Sequence, residues 1–175
     1  MNTENAQARM VWTMVAKDPQ GNVKWTDEGK NLIVNTGLDY LLENDLVAST
    51  LYIGLTDASP TVAAGDTMAS HSGWTEVTAY DETARQAWGQ GAASGGVTTN
   101  ATAVTFTASG TTTVGGGFLT TVATKGGTTG TLFSVKAATE GDRSLVDGDT
   151  LDVTISLTVS SAYWLSTSTT QASYA

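Results

Sequence analysis

The segment Thr150-Leu151-Asp152-Val153-Thr154-Ile155-Ser156-Leu157-Thr158-Val159 decides the fold class. Leu151, Val153, Ile155, Leu157 and Val159 alternate with Asp152, Thr154, Ser156 and Thr158. Successive strand side chains point to opposite faces, so a period of two predicts a strand with an apolar core face and a polar outer face. One-sided burial of this kind belongs to antiparallel sheets.

Working outward, the same pattern recurs. Ala103-Val104-Thr105-Phe106-Thr107 alternates and is rich in β-branched residues. Leu132 to Lys136 reads as a strand, and so does Thr112 to Ala123, which contains Gly115, Gly116 and Gly117. Glycines inside a strand predict a bulge or a close backbone approach. Near the N-terminus, Met10, Trp12 and Met14 fall on one face and Val11, Thr13 and Val15 on the other. Lys17 to Asn22 is dense in turn formers. Pro19 suits the second position of a turn, and Gly21 or Asn22 can take a positive φ. Val23 to Thr26 then resumes the strand pattern, completing a β-hairpin.

Leu51 to Thr56 is a compact apolar run, read as a buried strand. Asp57 to Ser72 reads as a loop with a short helical turn around residues 66–69. Glu76 to Tyr80 and Ala84 to Gln90 read as extended. Leu38, Leu41 and Leu42 have helical spacing after the capping residues Asn35 and Thr36, predicting one short helix over 36–44. About eight or nine short strands at this spacing suit a sandwich. The expected fold is mainly β: an antiparallel β-sandwich or jelly-roll-like body with an N-terminal β-hairpin and one short helix. It is read as a single domain over residues 1–165, with an arm and hairpin at 1–30 and a Ser/Thr-rich tail at 166–175.

The 175 residues are 40% hydrophobic but only 14% charged, against about 25% in ordinary soluble domains. Hydroxyl side chains therefore supply most of the polar surface. Five Trp, five Tyr and three Phe argue against disorder. The net charge of −9 repels phosphate backbones and anionic lipids, so neither nucleic acid nor membrane is expected as a partner. The absence of Cys excludes disulfides, thiolate metal sites and Cys nucleophiles. Met1 to Arg9 is polar, so no signal peptide is expected, and no apolar run reaches membrane-spanning length.

Candidate chemistry is sparse. His71 is the one histidine. A catalytic His needs a nucleophile and an orienting group, and this one is read as a surface-loop residue. Glu140-Gly141-Asp142 and Asp147-Gly148-Asp149 offer oxygen ligands for calcium, but neither matches an EF-hand loop, and both read as turns. The glycine-rich stretches at 89–95 and 126–130 miss the spacings of phosphate-binding loops. Asn100-Ala101-Thr102 is a glycosylation sequon without a sign of a secretory route. No catalytic set, metal or cofactor is expected. Trp12, Trp25, Trp74, Trp88 and Trp164 could stack on sugars or anchor a core or subunit interface. Trp12 and Trp25 lie within alternating strands, which favours the second.

Several stretches resemble small structural proteins of tailed bacteriophages, of the head decoration (cement) type. They are Val11-Trp12-Thr13-Met14-Val15, Asp18 to Trp25, Asn31 to Leu42, Leu51 to Leu55, Tyr80 to Trp88, Gly117-Phe118-Leu119, Thr124 to Ser134 and Gly148 to Thr154. The resemblance implies a non-enzymatic virion protein made in the host cytoplasm and sited on the capsid surface. There it would bind the major capsid protein and itself, as a homo-oligomer such as a trimer. It makes Met10, Trp12, Met14 and Trp25 the candidate subunit or capsid interface. The alternatives are a neck, tail or fibre-base component, or a carbohydrate-binding or adhesin module.

Overall fold

The computed structural model describes residues 5–30, 32–34, 37, 50–92, 94 and 97–162. Apart from Gly37, the helix expected over 36–44 lies outside the described residues, as do Trp164 and the tail 166–175.

Twelve strands are present among the described residues. One antiparallel sheet contains β1 (Asn5–Lys17), β2 (Val23–Lys30), β12 (Thr150–Ala162), β6 (Val97–Thr99) and β7 (Val104–Thr107). Its order is β2-β1-β12, with β6 and β7 sharing the far side of β12. The second sheet has the order β3-β10-β9-β4-β5, from β3 (Leu32–Ile33), β10 (Leu132–Ala137), β9 (Gly116–Thr120), β4 (Tyr52–Thr56) and β5 (Gln86–Ala87). A small ribbon joins β8 (Thr112–Val114) to β11 (Arg143–Leu145). The mainly β, antiparallel, sandwich-like expectation holds. The strands beyond the expected eight or nine are short pieces such as β3, β5 and β11.

β12 behaves as its alternation requires. Residues 151, 153, 155 and 157 are buried and their neighbours half-buried. Met10, Trp12, Met14 and Ala16 of β1 join them in one core cluster with Ile53, Leu55, Leu119 and Phe133 of the opposite sheet. The two sheets meet closely at Gly117, where an added Cβ would stand 2.7 Å from Trp12 Cζ3. Trp88, fully buried, donates from Nε1 to Ile155 O at 3.1 Å, tying β12 to the chain just after β5.

The hairpin turn is built by Asp18. Its Oδ1 accepts from the backbone N–H of Gln20 (3.0 Å) and Asn22 (2.8 Å), and Gly21 takes φ +87°. Asn100 bridges the gap between β6 and β7. Its Oδ1 accepts from Ile155 N and its Nδ2 donates to Val153 O, so the side chain replaces a strand partner along β12. This buried, committed amide cannot carry a glycan, which disposes of the sequon.

Elsewhere the pattern resolves differently. The expected strand Thr112 to Ala123 breaks at Gly115 into β8 and β9. An added Cβ on Gly115 would collide with the backbone of Ala58 and Ser59, so the glycines mark close approaches, as the sequence predicts. Gly115→Ala is therefore expected to lower stability by about 1–3 kcal/mol or more through overpacking, read as a lower urea midpoint with an unchanged slope. Residues 66–70 form a tight turn closed by a Thr67–Ser70 bridge rather than a helical turn. The strand expected over 84–90 shrinks to Gln86–Ala87.

β4, β9 and β10 are buried along almost their whole length, without alternation. Both faces of this sheet are covered. The sandwich core lies on one side, and a second cluster of Val34, Met68, Trp74, Phe118, Leu132 and Val135 lies on the other. The segment after β4 supplies that cover, and it explains why Leu51 to Thr56 reads as a continuous apolar run.

Candidate functional site

The cover over the second sheet carries the most organised polar arrangement among the described residues. Arg85 is its hub. Nε donates to Glu76 Oε1 (2.9 Å) and Nη2 to Glu76 Oε2 (2.7 Å), a bidentate pair. Nη1 donates to Val122 O (2.9 Å), and Nη2 also reaches Gly127 O (2.5 Å). Glu76 Oε2 further accepts from Gly126 N at 2.8 Å. The guanidinium lies 5.1 Å from the centre of the Phe118 ring. Arg85 is fully buried and Glu76 nearly so. This geometry fixes the 122–127 loop, whose turn needs Gly126 at φ +75°. Beside it, Lys125 Nζ donates to Tyr80 O and Glu82 O and sits 4.0 Å from the Tyr80 ring centre. Burial, then the nearby Glu76 charge, pushes the Tyr80 phenol well above its ordinary value.

A cleft of about 380 Å³ opens along this loop, lined by Met68, His71, Trp74, Glu76, Gly126 and Thr128 among others. His71 lies flat on Trp74, with ring centres 3.6 Å apart and planes 7° from parallel. Trp74 in turn contacts Phe118 at 5.1 Å. Burial holds the His71 imidazole below its ordinary value, against the opposing pull of Asp66. Its Nδ1 is buried without a hydrogen bond, so no carboxylate orients the ring there as a general base requires. Glu76 is neutralised by Arg85. The cleft is a packed, uncharged wall rather than an acid–base pair.

His71 is thus less exposed than a surface-loop residue: its ring packs on an aromatic. The acidic turns are occupied by protein partners. Asp142 Oδ1 accepts from Ser59 N and Oγ, Glu140 pairs with Arg143, and the buried Asp149 pairs with Lys24 and accepts from Val146 N. Those contacts match the turn reading.

The structure places the candidate interface residues within the body of the chain. Met10, Trp12 and Met14 have no exposed surface; the chain's own second sheet covers them. Trp25 is half-buried against the same core. Trp88 is fully buried, and Trp74 retains only 7% exposure beneath His71. Among the described residues no tryptophan forms the open platform that sugar stacking needs.

Sequence reasoning missed the charged cluster beneath the hairpin. Lys136 of β10 is fully buried and pairs with Asp27 of β2, also buried, 109 positions earlier. Asp27 Oδ1 accepts from Thr139 N at 2.8 Å. Burial alone would raise the Asp27 carboxyl. The hydrogen bonds from Lys136 and Thr139 and the Lys136 charge outweigh it and hold the group below the usual carboxylate range. One signal was available: Lys136 ends the apolar run Leu132-Phe133-Ser134-Val135, where a charge demands a partner. Nothing comparable pointed to Arg85.

A family model described as podophage GP4 fiber I protein gp80 matches residues 30–160. No curated protein and no solved structure matches the chain. The match begins at the last residue of β2 and covers β3 through most of β12.

Proposed function

The chain belongs to the podophage GP4 fiber I protein gp80 family and is a phage structural protein; we propose that it is a non-enzymatic component of a podophage fibre. The observation that carries this reading is the family match across nearly all of the two-sheet body. The site geometry agrees with it. The Glu76–Arg85 hub and the His71–Trp74 stack organise loops and leave no activated nucleophile beside a base. The fibre reading is preferred to the capsid-surface position that the resemblance implies, because the family's description names a fibre.

Copy number tests it. Quantitative mass spectrometry of purified particles is expected to find this chain far scarcer than the major capsid protein, and labelled antibody is expected to decorate fibres. A copy number comparable to that of the capsid protein, with label over the head, would overturn the fibre reading in favour of decoration.

A further inference from the structure

Every open sheet edge is a template for another strand unless it is short, charged or covered. Most edges here are protected. β3 and β5 are two residues long and β6 three. β2 carries Lys24, Asp27, Glu28 and Lys30 in eight residues, and Thr139 Oγ1 donates to Glu28 O along its outer side. One edge is different. β1 and β12 pair without interruption from Asn5↔Ala162 to Lys17↔Thr150. The β2 ladder ends at Val11, and the β6 ladder ends at Thr158. The pairs Asn5↔Ala162 to Ala8↔Val159 therefore form a two-stranded ribbon with no strand beside it among the described residues, about 13 Å long. Isolated two-stranded ribbons are marginal in water.

We propose that this ribbon, Asn5–Ala8 with Val159–Ala162, is the surface through which a second copy of the chain joins, edge to edge, by β-sheet hydrogen bonding. Charge selects the occupant. The chain carries −9, so two copies repel through most surfaces, yet the eight ribbon residues contain no charged residue and no proline. The ribbon lacks the charged residues that guard natural edges. An outer strand edge is complementary to itself when run antiparallel across a two-fold axis, so an identical copy satisfies it without further design. The inference deepens the fibre reading by naming how copies meet, but it is tested on the purified chain alone.

The absence of cysteine makes the test direct, since a single introduced Cys can form only an intermolecular disulfide. Ser160→Cys and Ala6→Cys place a thiol on each ribbon strand; Val23→Cys and Val146→Cys place one at exposed body positions. Under mild oxidation the ribbon variants are expected to give a covalent dimer at least about tenfold faster than the body variants. The wild-type chain is expected to show a light-scattering mass above 18.1 kDa. Ala8→Lys with Ser160→Lys, which sets like charges along the joining edge, is expected to shift it toward monomer. A wild-type mass of one chain at up to about 100 µM, or ribbon thiols that couple no faster than body thiols, would overturn the proposal. Either result leaves the particle copy number, and with it the fibre reading, untouched.

Discussion

Lys136→Ala is expected to lower the unfolding free energy by about 3–5 kcal/mol, the range for removing one partner of a buried ion pair. The Lys136 and Asp27 side chains have 0% and 1% of their surface exposed. Without the ammonium, Asp27 keeps Thr139 on its carboxylate but no countercharge, and must remain charged in the core or take up a proton. Lys136→Met with Asp27→Asn removes both charges and keeps an acceptor for Thr139. This pair is expected to recover more than half of the loss, as buried pairs replaced together usually do. The pH dependence carries a sign. The folded carboxyl lies below its ordinary value, so its contribution is present above about pH 4 and is lost as pH falls through the lowered folded value. In Lys136→Ala the orphaned carboxyl protonates readily, so the gap to wild type narrows in acid. Urea melts at pH 7 and pH 3 measure both effects. An unchanged midpoint at pH 7 would show that the pair contributes nothing.

Trp12→Ala is expected to cost about 3–5 kcal/mol, the usual range for truncating a buried aromatic. Its ring is fully buried and closes on Gly117 across the sandwich, where no larger residue fits. For a chain of this length the loss lowers the melting temperature on the order of 10 °C. This outcome separates two roles. A partner anchor would weaken assembly and leave the isolated chain's melting temperature unmoved. A core residue lowers the melting temperature at every protein concentration, and its fluorescence reports an apolar setting until unfolding.

Much of the fold was legible in the chain. The 151–157 alternation, the Asp18–Gly21 turn and the glycine triplet each state a local rule that the structure obeys. The loop carrying Glu76 and Arg85 was not legible. Arg85 sits in a polar stretch, Ala84-Arg85-Gln86, that gives no hint of burial. It is buried because Glu76, Val122 and Gly127 supply acceptors at the spacing of a guanidinium, and those acceptors converge only in three dimensions.

The same division runs through the candidate interface. Periodicity alone assigned Met10, Trp12 and Met14 to one face of β1, because a strand's side chains alternate whatever surrounds them. It carried no information on what covers that face, since an apolar face satisfies its demand equally against its own second sheet or against another subunit. The closing of β9 and β10 over β1 placed that face in the core.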